Sequence, residues 1–290
     1  MHERLNPLRV SVHGGHSGEF CNHAKDSLEA VVRAYIEQGY NWVGITEHMP
    51  PIEDRFCYPD EIKAGENAQS LKRRFDQYAT SCRHLKQQYR SQIEVLVAFE
   101  IETYTGSEQA IRQLMLGHEF DYIVGSLHHV DNLEIDLSEE KYAQAVESQG
   151  SLEALYVRYF DLQHEMIESL KPGVIGHFDL VRYFDPDCRD TVRLESVRNR
   201  ISRNLSLIRD LNLILDVNLR GFDKPESEQY PLREILSEAI QMGVAVVPGD
   251  DSHGVESIGR NWDRGIALLQ ELGANCNWTK PVNAQAKSKP

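Results

Sequence analysis

The sequence predicts an α/β barrel of seven parallel strands, and two patterns within its 290 residues carry that prediction. Short apolar runs alternate with amphipathic, helix-like stretches along nearly the whole chain. Many of those runs also end in imidazole or carboxylate: seven of the twelve histidines, together with Glu100 and Asp251, stand just past one. Parallel strands place all their C-terminal ends on one rim, so side chains at those ends converge. An open doubly wound sheet would gather such groups mainly at one switch point, and the glycine-rich phosphate loop that often accompanies it is missing.

The first strand is read at residues 8–12 and runs into His13, His16 and His23. Asp26-Ser27-Leu28-Glu29 has the form of a capping box, followed by Leu28, Val31, Val32 and Tyr35 at helical spacing. Strand two, residues 42–46, ends in Glu47-His48. A long amphipathic stretch at 70–89 leads to strand three, 95–99, which ends in Glu100. Strand four, 122–126, precedes His128. A helix over 152–170 carries Leu152, Leu155, Tyr159, Leu162 and Met166 on one side and is stopped by Pro172-Gly173. Strand five, 174–176, ends in His177. A helix over 193–211 feeds strand six, 213–217, whose end alone offers no metal ligand. A helix over 232–242 feeds strand seven, 244–248, which leads to Asp251 and His253. The segments 51–70 and 131–150 are longer and more polar, and each follows a ligand-bearing strand end. They are expected to be rim loops, where lids and specificity elements sit. One domain is expected over residues 1–280, with a disordered polar tail over 281–290.

The formal charge of −14 argues against a nucleic-acid partner, which calls for a basic stripe. It does not exclude an anionic substrate, because bound cations reverse the sign locally. The five cysteines, Cys21, Cys57, Cys82, Cys188 and Cys276, are odd in number and widely spaced, so a disulfide framework is not expected. No apolar run approaches membrane-spanning length and the N-terminus has no signal-like apolar core. These features predict a cytoplasmic protein without a membrane partner.

Imidazole and carboxylate together suit zinc, iron or manganese, and too many are present for one tetrahedral ion. The candidate ligands are His13, His16, His23, His48, Glu100, His128, His177, Asp251 and His253. Glu100 is the best candidate to bridge ions, because it ends an apolar run. Asp251 and His253 share one face of a turn and could bind neighbouring ions. Glu47, Glu102 and Asp250 lie beside ligands and fit an orienting role better. His84, His118 and His164 fall on helices and read as packed or hydrogen-bonded residues. His129 points away from His128 and reads as supporting, and His2 as disordered. Cys21 lies between His16 and His23; a buried free thiol is the simpler reading, a soft ligand the alternative. Tyr58, Tyr104 and Tyr183 read as packing near the rim or as pocket walls.

Gly44-Ile45-Thr46-Glu47-His48, Gly125-Ser126-Leu127-His128, Gly176-His177-Phe178-Asp179 and Gly249-Asp250-Asp251-Ser252-His253, in that order, resemble motifs of the polymerase-and-histidinol-phosphatase (PHP) superfamily. Ser126-Leu127-His128-His129-Val130 ahead of the 131–150 insertion is similar to the histidinol-phosphate phosphatases within it. The resemblance runs from about His13 to Gly254. It implies a distorted, seven-stranded, TIM-like (β/α) barrel with three divalent ions, usually zinc, iron or manganese. The first ion would be held by the N-terminal histidine motif, Glu100 and Asp251. The second would use Glu100, His128 and His177; the third would use His23, His48 and His253. A hydroxide bridging two ions would attack phosphorus in line, with Glu100, Asp251 and His253 as the catalytic groups.

One departure stands out. The superfamily opens with His-x-His, whereas this chain has His13-Gly14-Gly15-His16, which places Gly14 where the first histidine belongs. Either His13 reaches the same ion through a local backbone irregularity, which two glycines make feasible, or one ligand is lost. The first alternative is preferred here. Similar arginines bind substrate phosphate in the superfamily, and Arg182 and Arg220 are the corresponding candidates, against a simple role in surface ion pairs.

The implied activity is hydrolysis of L-histidinol phosphate to L-histidinol and phosphate, a step of histidine biosynthesis, with a small phosphate ester as the partner. Another PHP phosphoesterase acting on nucleotides or small esters is the first alternative, and the acidic charge counts against polymeric substrates. The related amidohydrolases tend to bridge their ions with a lysine on a middle strand, and no lysine ends a strand here. A non-catalytic, metal-binding PHP domain is the remaining reading.

Overall fold

Seven parallel strands form one sheet: β1 (Arg9–Ser11), β2 (Tyr40–Ile45), β3 (Glu94–Glu100), β4 (Tyr122–Gly125), β7 (Val174–Ile175), β8 (Ile214–Asn218) and β9 (Ala245–Gly249). They are neighbours in chain order, and β5 (His129–Val130) pairs with β6 (Leu133–Glu134) in a separate antiparallel hairpin after β4. The computed structural model describes residues 7–224 and 228–282. His2 and the tail from residue 283 onward lie outside the described residues.

The two edges of the sheet meet. Val12 N–H donates to the Pro248 carbonyl (2.9 Å), Asp251 N–H to His13 (2.8 Å), and His16 N–H to Ser252 (2.7 Å). The seam between first and last strands therefore zips up where His13, His16 and Asp251 leave the sheet. The barrel is nearly closed, as the strand-end pattern predicted.

The strand readings hold to within a residue or two at each end, because strands buried on both faces are continuous apolar runs. Among the helices, α1 (Leu28–Glu37) is capped by Ser27, whose side chain accepts from Ala30 N–H, and it buries Leu28, Val31, Val32 and Tyr35 as spaced. α6 (Leu152–Leu170) ends at Lys171 in a left-handed conformation (φ 48°) just before Pro172. α3 (Ala68–Gln88), α8 (Glu195–Asp210) and α9 (Arg233–Gln241) occupy the places expected of them.

The rim segments differ from expectation, because they are not loops. The first contains a turn at Asp54–Phe56 and α2 (Pro59–Lys63); the second contains β6 and α5 (Glu139–Gln149). α5 buries only Tyr142 and Ala145, and α4 (Ser107–Gly117) only Ser107, Ile111 and Leu114. Helices with so narrow a buried stripe leave little periodic signal. No helix among the described residues is long and apolar enough to cross a membrane. All five cysteines are free thiols.

A candidate multinuclear metal centre

Glu100 stands at the middle of the rim, 1% exposed, and five imidazoles surround it. His177 Nε2 lies 2.8 Å from Oε1, and His128 Nε2 lies 3.5 Å from the same oxygen. His48 Nδ1 (3.2 Å), His13 Nε2 (3.4 Å) and His16 Nε2 (3.9 Å) face Oε2. Each ring comes from a different strand end or from the turn after β1, so barrel closure itself assembles the cluster. Burial alone would raise the Glu100 carboxyl. The His13 and His48 rings, with a hydrogen bond from His177, overcome it and hold the group well below the usual carboxylate range.

Asp251 is the second carboxylate of the centre. It accepts from Asn218 Nδ2 (3.2 Å) and lies 3.3 Å from His16 Nε2 and 3.4 Å from Arg220 Nη1. Its φ of 43° puts a non-glycine residue in the left-handed region, a strained conformation that aims the side chain inward. Burial opposes its ionisation, but Arg220 and His13 hold it well below the ordinary range.

The donor set fits divalent cations. His13, Glu100 and His177 bring ligand atoms within 4.8 Å of one another, as do His13, His16 and Asp251. Several ring nitrogens among them are buried without a hydrogen-bond partner: His13 Nε2, both nitrogens of His16 and of His48, and His177 Nδ1. Buried ring nitrogens without partners at such density are costly unless a ligand satisfies them. The charges agree with this. Despite burial, Glu100 and Asp251 hold His13 well above its ordinary value, so the carboxylates call for positive charge at this spot. Burial and the neighbouring His16 push His48 and His253 well below theirs, toward the neutral form that binds metal.

Outer partners orient these rings. Glu102 accepts from His128 Nδ1 (2.9 Å) and from the Tyr58 hydroxyl (3.0 Å), and lies 3.5 Å from His129, in line with its expected supporting role. Glu47 accepts from the Ser17 amide and hydroxyl (both 2.7 Å) and stands 3.8 Å from His16 Nδ1; burial pushes it up to about 7. Asp250 is turned away onto Ser11 and Tyr35 (2.6 and 2.8 Å) and tethers β9 rather than the centre. His118 pairs with Asp76 and His164 lies near Glu168, as their helical positions suggested.

His13 reaches the cluster, with Nε2 3.4 Å from Glu100 Oε2. Its Nδ1 donates to Asp216 Oδ2 (3.0 Å), which turns Nε2 toward Glu100. A Cβ on Gly14 would collide with the Gly44 carbonyl and with Val43, so position 14 has no room for a side chain. Gly249 is equally required, because a Cβ there would strike Asp216 Oδ1. Asp216 lies inside strand six, whose end offers Arg220 but no metal ligand, and the strand-end pattern does not reveal it. A carboxylate between Leu215 and Val217 in a buried strand was the available signal, since such groups are almost never buried unpaired.

One further expectation needs correction. Arg182 does not face the cavity. It is fully buried, with Nε 3.3 Å from Asp179, Nη2 donating to the carbonyls of Glu228 and Gln229, and its guanidinium 4.1 Å above the Tyr230 ring. The 3-10 turn Leu180–Arg182 swings it behind the wall, where it locks the 228–230 backbone. His23 stands at the mouth, 41% exposed and 3.5 Å from Asp60. Its ring stacks on His253 (5.0 Å) and lies 5.3 Å from His48, beside the group formed by His16, Cys21, His48 and His253.

Above the centre opens a cavity of about 400 Å³. Arg220 and Lys224 line it after β8, Tyr58 and Asp60 reach it from the first rim segment, Asp136 from the second, and Tyr183 from the turn after β7. Tyr104 packs instead, stacked on Phe56 at 3.9 Å.

Fold and site together define a (β/α) barrel enzyme scaffold with a cluster of imidazoles and carboxylates suited to divalent metal ions on its C-terminal rim. A family model described as the PHP domain matches residues 14–220, and the chain belongs to this family. A Schizosaccharomyces pombe protein named "Probable histidinol-phosphatase" is 34% identical over 92% of this chain and 87% of its own length. The histidinol-phosphatase of Saccharomyces cerevisiae is 26% identical over 87% of this chain and 85% of its own. A Listeria monocytogenes crystal structure assigned as a histidinol phosphatase superposes with a TM-score of 0.77 at 27% identity, covering 88% of this chain and 99% of that one. The Lactococcus lactis histidinol phosphate phosphatase, solved with zinc, L-histidinol and phosphate, shares the fold (TM-score 0.69, 17% identity, 95% and 97% covered).

Proposed function

We propose that this protein is a metal-dependent phosphomonoesterase that hydrolyses L-histidinol phosphate to L-histidinol and phosphate. The observation that carries the reading is Glu100, ringed by five imidazoles directly beneath a cavity that also exposes two cationic side chains. The substrate class follows the relatives that the chain matches over most of their length.

His13, His16, Glu100 and Asp251 would hold one ion; Glu100, His128 and His177 a second; and the His48–His253 side of the centre a third. Zinc, iron or manganese would suit this donor set. Divalent ions held there would supply an activated water at neutral pH and neutralise the phosphate oxygens. Arg220 and Lys224 then bind and orient the phosphate, their fixed charges facing the dianion. Asp136 and Asp60 offer acceptors for the ammonium and imidazole of the alcohol half. Tyr58 braces Glu102, and through it the His128 ring.

The test is phosphate release from L-histidinol phosphate against a panel of nucleotides and sugar phosphates, before and after chelation and with zinc, manganese or iron restored. We expect turnover strongly favouring histidinol phosphate, lost on chelation and regained with metal. A preference for nucleotides would move the protein to another phosphoesterase activity, and silence on every ester by the metal-loaded protein would overturn the enzymatic reading. Replacing Arg220 with alanine should raise KM for phosphate esters about 10- to 100-fold, the equivalent of one or two charge-assisted hydrogen bonds. Steady-state kinetics on the variant check this, and an unchanged KM removes Arg220 from the phosphate site.

A further inference from the structure

We propose that Asp136 is the specificity-determining residue of the cavity: its carboxylate receives the ammonium group of the alcohol half, so the site selects phosphomonoesters of short, positively charged amino alcohols as a class. The inference rests on the phosphomonoesterase reading and deepens it, with histidinol phosphate as one member of that class.

Asp136 is a partly buried carboxylate in the cavity wall, and among the described residues none lies within hydrogen-bond or ion-pair distance of it. The cations that share the wall are engaged elsewhere: Arg220 with Asp251 (3.4 Å) and His253 (2.8 Å), Lys224 with the Tyr183 hydroxyl (3.2 Å). The nearby rings are committed too, His128 to Glu102 (2.9 Å) and His177 to Glu100 (2.8 Å). A charge withdrawn from water without a counter-charge is costly, so the cation that answers Asp136 is one that a ligand brings. Asp60, the other acidic group of the wall, differs. Its Oδ1 accepts from the Glu61 amide (3.1 Å) and its Oδ2 faces His23 (3.5 Å), which makes it the weaker acceptor for a ligand.

The local chain holds Asp136 in place. It follows the β5–β6 hairpin, and Ile135 N–H donates to the His128 carbonyl (3.0 Å). The turn of that hairpin is pinned at both of its left-handed residues: Arg158 grips Asp131 (2.8 and 3.1 Å), and the Asn132 side chain accepts from Thr105 N–H (2.8 Å). Ser138 then caps α5. The carboxylate is thus fixed relative to the His128 ring, as a discriminating contact requires. Negative charge enters the cavity from the segment after β4 and positive charge from the turn after β8, with β7 between them and Leu137, Leu180 and Tyr183 as apolar wall. A phosphate dianion and an ammonium at the two ends of a short carbon chain match that order. An uncharged alcohol would cover Asp136 and leave it unanswered, which is how a site rejects an analogue.

Two esters of matched length read the contact: 2-aminoethyl phosphate and 2-hydroxyethyl phosphate, each given to the zinc-loaded, full-length protein at neutral pH. Wild-type kcat/KM should favour the amino ester by about 10- to 100-fold, the equivalent of one charge-assisted hydrogen bond. In Asp136→Asn that ratio should fall to about 3-fold or less, since only a neutral hydrogen bond is left. Asp136→Glu should restore most of it, and Asp60→Asn should keep it. Calorimetry with L-histidinol, in the presence of inorganic phosphate, should show a matching loss of affinity in Asp136→Asn, with zinc content and circular dichroism unchanged. A wild-type protein indifferent to the amine, or a preference that survives Asp136→Asn, overturns the assignment. So does loss of a zinc equivalent in Asp136→Asn, which would make Asp136 a metal ligand instead. Silence on both esters would sink the phosphomonoesterase reading, while the L-histidinol calorimetry would still decide the role of Asp136.

Discussion

Replacing Glu100 with glutamine should abolish turnover, lowering kcat by about 10³-fold or more, the upper range for deleting one preorganised charge contact at a reaction centre. The substitution keeps shape and removes charge. Glu100 ends β3 with its backbone held by its neighbours, Met49 N–H donating to its carbonyl (2.8 Å) and its own N–H to Glu47 (3.0 Å), so the fold does not depend on the carboxylate. The electrostatics do. Both oxygens are used, Oε1 by His177 and His128, Oε2 by His48, His13 and His16. An amide presents one oxygen and one NH2, and the NH2 would point at ring nitrogens that must stay free for metal. The variant should therefore retain a native circular dichroism spectrum and carry fewer ions by elemental analysis. Wild-type turnover in a fully loaded Glu100→Gln protein would remove Glu100 from the bridging position.

The barrel was legible because its strands are buried on both faces and end in ligands, so hydrophobic run and polar terminus mark the same boundary. Histidines at strand ends could be read one by one, since a strand end points in one direction. Groups that leave a turn could not. Arg182 and Arg220 each follow a strand by a few residues, yet one 3-10 turn carries Arg182 behind the wall and another brings Arg220 into the cavity. Cys21 and His23 are two residues apart in a loop, and the turn at Ser17–Ala24 brings both against the cluster. Asp216 escaped for a different reason. A polar residue at a strand end marks a ligand, whereas this carboxylate sits inside the run and holds His13. The rim helices α2 and α5 leave little signal because they bury little, and α2 brings Pro59 and Asp60 to the cavity.

His13→Ala should be nearly as damaging as the change at Glu100, and the paired exchange His13→Gly with Gly14→His should not repair it. The His13 ring supplies a nitrogen to the centre while its other nitrogen is held by Asp216, and it lies between three carboxylates, Asp216, Glu100 and Asp251. Removing it leaves Asp216 buried without that donor, and breaking a buried charged pair costs about 3–5 kcal/mol. The metal-free variant should melt well below the wild type, and its affinity for the first ion should fall by more than the roughly 10- to 100-fold seen for outer-sphere changes. Moving the histidine one place along would restore the familiar His-x-His spacing in sequence but not in space. At position 14 the Cα–Cβ bond points at the Gly44 carbonyl and Val43, so the imidazole would have to displace β2. Overpacking of that kind costs about 1–3 kcal/mol even for small groups. Calorimetry and metal titration of the exchanged variant decide the matter. Recovery of the first ion at wild-type affinity would mean that β2 yields and that the unusual spacing is a neutral drift. Continued loss would mean that Gly14 and His13 are one device, the glycine surrendering its side chain so that its neighbour can serve as the ligand.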